Sequence, residues 1–228
     1  MDSFWLKIIG CVSMLADHVG SILFPQILIL RIIGRLAFPI FAFLVVEGYR
    51  HTQNFKNYLL RIFVFFIVSE PIYRYAHYHM NIENLNIFAT LLLGLVAIYL
   101  YDHINNKKYA FFCVFLTSIL SYIVKADYGF FGIFLIFFFY LYDIKKDFYK
   151  LFFIQLLLIA MYVFFMPIQY ASIGMQVPTK WILGQFIFLL PLFMIKYYDG
   201  KRGKYSKYLF YVFYPGHLLL IGFVARFL

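Results

Sequence analysis

Charge is what this 228-residue chain has least of. Asp, Glu, Lys and Arg together make up 13% of it, against roughly 25% in an ordinary soluble domain. With 64% of residues apolar, that scarcity excludes a soluble globular protein. Cysteine is almost missing: Cys11 and Cys113 both lie in apolar runs, with no CxxC pair and no framework spacing, so they carry no information about redox compartment. The apolar runs also lack the alternating, roughly ten-residue pattern of an outer-membrane barrel. GxxxxGK[ST], GxGxxG and HExxH do not occur, which leaves nucleotide hydrolysis and zinc proteolysis without support. Long polar loops are few, so these 228 residues leave no room for an appended soluble domain. No internal repeat of the kind found in inverted-repeat transporters is visible.

What is present is apolar, aromatic and unevenly basic. Phe (31) and Tyr (21) dominate the aromatic residues, and 20 Lys plus Arg face 10 Asp plus Glu, a formal net charge of +10. A span takes about 20 apolar residues, and cutting at charged and turn-forming clusters predicts helices near 5–24, 27–48, 57–73, 86–102, 109–125, 127–142, 149–166, 179–196 and 207–227. The expected fold is an all-α polytopic membrane protein, one domain over 1–228 with a bundle of about nine transmembrane helices. Residues 1–24 look superficially like a signal peptide. Asp17 and His18 interrupt the apolar core and no cleavage motif follows, so the stretch reads as a retained first helix.

Assigning the basic residues to alternate connections sorts them sharply. One side takes Lys7, Arg50, Lys56, Arg61, Lys107, Lys108, Lys145, Lys146, Lys150, Lys196, Lys201, Arg202, Lys204 and Lys207; the other takes only Arg74, Lys125, Lys180 and Arg226. Cytoplasmic loops hold the Lys and Arg excess, so the N-terminus is expected in the cytoplasm. The positive charge thus belongs to the bilayer, and no nucleic-acid partner is expected. Pro39, Pro191 and Pro215 fall inside predicted spans and are expected to kink them unless a neighbour satisfies the freed carbonyl.

Ionisable groups inside spans are costly and each one is a functional hypothesis. Asp17 and His18 lie in the outer half of the first helix. Arg31 and Arg35, spaced i, i+4 on the returning helix, share a face at about the same depth. Gly10, Ser13, Asp17 and Ser21 form a small and polar stripe suited to a neighbouring helix. His18 projects about 100° from Asp17, so Asp17 is expected to pair with Arg31 or Arg35. Glu70, near the outer end of the third helix, and His217, just after Tyr214, join the candidates, as do Glu47 and Arg50 where the second helix meets the cytoplasm. A buried ion pair that only fixes packing is the alternative for Asp17, and a packing histidine is the alternative for His217. A neutral imidazole in a dry site can take a proton from an amine or hydroxyl attacking a carbonyl, which makes His18 the candidate general base. The arginines suit an anionic group or a developing oxyanion. His77 and His79, with Glu70 and Glu83 nearby, are too loosely spaced for a specific metal site, and no metal is expected.

Two runs are recognisable: KIIGCVSMLADHVG from Lys7 to Gly20 and RLAFPIFAFLVVEG from Arg35 to Gly48. With NIFATLLLG from Asn86 to Gly94, DYG from Asp127 to Gly129 and YPGH from Tyr214 to His217, the chain resembles the TraX family along most of its length. That family takes its name from the enzyme that acetylates the N-terminus of conjugative pilin, and it is grouped with the wider class of transmembrane acyltransferases. The resemblance implies an acetyltransferase of the bacterial plasma membrane, multi-pass, using acetyl-CoA as co-substrate. Its acceptor would be a membrane-associated peptide or glycan. Asp17 and His18 would carry the reaction, and Arg35 and Glu47 would help build the site. A small-solute or proton-coupled transporter built on Asp17, Arg31, Arg35 and Glu70 is the competing expectation, followed by a non-catalytic membrane partner.

Overall fold

The computed structural model describes residues 1–80, 83–171, 179–204 and 208–227. Among these residues the regular elements are helices, and all nine predicted stretches are helical: α1 Ser3–Ile22, α2 Leu28–Gly34, α3 Ala37–His51, α4 Phe55–Ala76, α5 Ile87–His103, α6 Lys107–Ile123, α7 Gly129–Leu141, α8 Phe148–Ala171, α9 Thr179–Gly184, α10 Leu190–Lys196 and α11 Leu209–Val224. Lys207, counted above with the inner basic residues, lies outside the described residues.

Local chemistry accounts for four of the starts. Asp2, Asn54, Asn86 and Asn106 sit at N-caps and accept from the backbone N–H groups of Trp5, Asn57, Phe88 and Lys108, satisfying donors a helix cannot pair internally.

Two predicted spans are broken, each at a proline. Pro39 has no N–H for the carbonyl of Arg35 and its ring crowds that carbonyl, so the predicted 27–48 helix leaves the helical path at Arg35 and Leu36 and resumes as α3. The gentle kink expected there is therefore a full interruption. In 179–196, Pro191 stands at the start of α10, and a 3-10 turn, Gln185–Leu189, separates α9 from α10. By contrast, α4 continues through Pro71 and α11 through Pro215.

Among the described residues four segments are long and apolar enough to cross a bilayer: Ser3–Ile22, Leu28–His51 counted across its break, Phe148–Phe165 and Thr179–Lys196. Ile87–His103, Gly129–Leu141 and Phe210–Val224 are apolar but shorter. Large apolar side chains stand exposed along α6, among them Phe112, Leu116, Ile119 and Ile123, the surface a membrane protein offers to lipid.

The chain divides into two compact units. The first comprises Met1–Phe41 and Tyr142–Tyr205. In it α1 and α2 form a tight hairpin, and α8 packs on the 3-10 turn and α10. The second comprises Ala42–Leu141 and Ser206–Leu228. There α5 packs on α4, α6 and α7, α11 lies along α4, and the core is built on Leu95, Ile98, Phe131, Ile133, Phe137 and Phe139.

Candidate functional site

In the first unit the hairpin of α1 and α2 carries the charges. Gly20 and Gly34 allow the two helices to touch. A Cβ added at Gly20 would stand 2.6 Å from Cβ of Leu30, and one added at Gly34 would fall on the Asp17 side chain. Close approach places Asp17 within reach of both arginines. Arg31 Nη1 donates to Asp17 Oδ2 at 2.8 Å and Arg35 Nη2 donates to Oδ1 at 3.3 Å. The i, i+4 spacing therefore delivers both arginines to one carboxylate, where either alone was expected. One acid against two guanidinium groups leaves the trio with a net positive charge.

The arginines are also stacked. The guanidinium carbons of Arg31 and Arg35 lie 5.4 and 4.9 Å from the centre of the Trp181 ring, and that of Arg35 lies 5.9 Å from the Phe188 ring. Aromatic faces stabilise desolvated cations, so α9 and the 3-10 turn supply the wall of the site. Neither aromatic stood among the predicted residues. A tryptophan in a hydrophobic span carries no sign of which helix it faces.

His18 is 9% exposed, and its backbone carbonyl accepts from Ser21 Oγ at 3.2 Å. Gly10, Ser13 and Ser21 are buried with it on α1; a Cβ on Gly10 would press against the Phe41 ring at 3.0 Å. The small and polar stripe thus serves close packing, as its composition indicated.

The second unit holds the other candidates. Glu70 accepts from Arg74 Nε at 2.8 Å through Oε1, and its Oε2 accepts both Asn86 Nδ2 at 2.8 Å and Asn86 N at 3.0 Å. Asn86 is fully buried, so this carboxylate fastens α4 to the start of α5. Around the same start, Thr90 Oγ1 accepts from the Tyr128 N–H at 3.3 Å and Tyr214 meets Phe88 edge-on at 5.3 Å. The three outlying motifs at 86–94, 127–129 and 214–217 therefore converge on one end of α5. His217 donates from Nδ1 to the Phe213 carbonyl at 2.6 Å and stacks on the Phe213 ring at 4.7 Å.

Glu47 and Arg50 pair at 3.1 Å. Arg50 Nη2 also donates to the carbonyls of Phe139 and Tyr140, each at 3.0 Å, supplying partners for the last turn of α7. His77 turns its Nδ1 back on the Tyr73 carbonyl at 2.9 Å. Among the described residues no three His, Cys, Asp or Glu side chains gather as metal ligands.

A family model described as TraX protein matches residues 3–225. Over 110 residues the chain is 29% identical to a protein of Dichelobacter nodosus named probable fimbrial assembly protein FimC, covering 42% of this chain and 45% of that one. Over 128 residues it is 34% identical to an uncharacterised protein of Rickettsia prowazekii (strain Madrid E), covering 54% of this chain and 49% of that one. The chain spans about half the length of these curated relatives. No solved structure matches it. A match running from the first turn of α1 to the end of α11, through each motif named above, means that the chain belongs to the TraX family.

Proposed function

We propose that the chain is an integral-membrane acetyltransferase that moves an acetyl group from acetyl-CoA to an amine, the N-terminus of a pilin-like peptide, or to a hydroxyl acceptor. The reading rests on one observation above all. Two arginines and one aspartate stand together in helices of span length, beside a buried histidine on the same helix as the aspartate. The family match and a relative named for fimbrial assembly support the pilin-like acceptor.

In this reading His18 is the general base. It takes the proton from the acceptor nitrogen or oxygen as that atom attacks the acetyl carbon, and it returns the proton to the departing sulfur. Acetyl-CoA supplies a carbonyl activated as a thioester. Arg31 and Arg35 carry one more positive charge than Asp17 cancels, which fits an anionic group or the oxygen on which charge develops in a dry site. Asp17 is a positioning residue: it holds both guanidinium groups at one spot and at one depth. Glu47, Glu70, Tyr214 and His217 belong to the same proposal as candidate binding residues. The inner basic segments around Arg50, Lys56 and Arg61 and from Lys201 to Lys204 would meet the phosphates. With the basic excess inside, the N-terminus lies in the cytoplasm, about nine spans cross the bacterial plasma membrane, and acetyl-CoA arrives from the cytoplasmic side.

A test is acetyl-CoA binding and thiol release by the purified protein with a panel of amines and hydroxyls. Thiol release that depends on the acceptor is the expected result. Absence of acetyl-CoA binding, with solute or proton flux that depends on Asp17, Arg31, Arg35 and Glu70, would replace this reading with that of a transporter.

A further inference from the structure

Two glutamines also lie in the interior of the first unit, and neither belongs to the ionic trio. Gln155 of α8 is 1% exposed and Gln185, opening the 3-10 turn, is fully buried. Each spends its amide nitrogen on a backbone carbonyl: Gln155 Nε2 donates to Phe188 O at 2.5 Å and Gln185 Nε2 to Trp181 O at 3.0 Å. Each is left with an amide oxygen that is buried and accepts no hydrogen bond from the described residues. Inside a membrane-spanning segment an unmet acceptor is expensive, because no bulk water reaches it. Buried polar atoms in folded proteins are nearly always paired. Two such oxygens in one unit therefore point to a donor that arrives from outside the chain.

Their surroundings indicate where that donor belongs. Gln155 bonds into Gln185–Leu189, the 3-10 stretch that interrupts this span, and Gln185 opens it; such interruptions often mark functional positions. The carbonyls they hold belong to Trp181 and Phe188, the two residues whose rings flank Arg35. The two amides thus hold the backbone of the residues whose rings wall the cationic site. Arginine supplies only donors, so that site can receive an acyl oxygen but not a hydrogen-bearing nucleophile. The glutamine oxygens have the complementary property.

We infer that Gln155 and Gln185 form a donor-recognising subsite that receives the N–H groups of the acceptor amine. This deepens the acetyltransferase reading and rests on it for the identity of the amine; the binding event itself is measured without any acetyl transfer. A neutral primary amine presents two hydrogens and an ammonium three, enough to engage both oxygens. A tertiary amine offers none when neutral and one when protonated.

The experiment uses the full chain in detergent with Trp5→Phe, which leaves Trp181 as the one tryptophan of the two in the sequence. Trp181 fluorescence is followed while propylamine, a primary amine, or N,N-dimethylpropylamine, its tertiary counterpart, is added. The expected result is a saturable change with propylamine, at least tenfold weaker with the dimethyl compound and at least tenfold weaker again in Gln155→Leu/Gln185→Leu. If the leucine pair does not fold, Gln155→Met and Gln185→Met, closer in shape, are read singly in its place. Equal binding of both amines, binding indifferent to the glutamines, or no binding in the parent protein would each overturn the subsite. Failure of the acetyltransferase reading shows separately, as no thiol released from acetyl-CoA in the presence of any acceptor.

Discussion

Asp17 and Glu70 are both carboxylates in apolar helices, and the two units treat them differently. Asp17 faces two arginines from another helix, both stacked on Trp181. Glu70 faces one arginine from its own next turn and the amides of Asn86. The Asp17 group is left positively charged, while the Glu70 group is electrically balanced. Glu70 takes the backbone and side-chain donors of Asn86 on one oxygen, which hold α4 to the start of α5, and an arginine of α4 itself on the other. The Glu70 group ties two helices together, whereas the Asp17 group gathers two cations on one carboxylate, the property on which the proposed chemistry draws.

Removing charge from each site separates the two roles. Asp17→Leu strips the carboxylate that pairs with both Arg31 and Arg35 and leaves two cations together. The expected cost is about 3–5 kcal/mol, read as a large fall in thermal stability in detergent. Glu70→Gln keeps one acceptor oxygen and a neutral amide beside a half-exposed Arg74, so about 1 kcal/mol is expected. Equal losses would erase the distinction drawn between the sites.

Glycines sharpen the contrast. Gly34→Ala drives a methyl onto Asp17 and should both destabilise the protein and pull the carboxylate from its arginines. Gly216→Ala in α11 meets nothing within 4 Å and should leave stability unchanged or raise it by up to about 1 kcal/mol, since alanine is the better helix former. Between these lies Trp181→Leu, which removes the stacking surface of two arginines. A loss of about 1–2 kcal/mol is expected, along with weakened acetyl transfer, measured as thiol release at fixed acetyl-CoA.

The smallest effect lies outside the spans. Asp147 accepts from Lys150 Nζ at 2.8 Å, which holds its carboxyl below the ordinary value. A depressed carboxyl contributes stability above its unfolded pKa of about 3.9 and loses it as pH falls through the folded value. Asp147→Asn should therefore lower stability slightly at neutral pH and leave it unchanged in strong acid, which flattens the acid side of the stability profile.

Much of this was legible beforehand. Helix positions followed from apolar run length, and the meeting of Asp17 with the arginines followed from i, i+4 spacing together with depth on antiparallel helices. The glycine and serine stripe on α1 announced a close helix contact. Other features depend on tertiary pairing and leave no local trace. Trp181, Phe188, Gln155 and Gln185 lie far along the chain from Arg35, and no periodicity says which face of 179–196 turns toward α2. The capping of α7 by Arg50 was hidden for the same reason, because a guanidinium at a helix end reads from sequence as one more positive charge on the inner side.

The central claim is that His18 performs the proton transfer within the site that Asp17, Arg31 and Arg35 define. Its most direct test is thiol release from acetyl-CoA in the presence of an amine acceptor, parent protein against His18→Ala, with thermal unfolding in detergent measured on the same samples. A fall of at least a hundredfold with unfolding temperature nearly unchanged is expected, in line with the range for general-base catalysis. Equal thiol release by the two proteins would contradict the claim outright and assign any chemistry in this membrane protein to a different group.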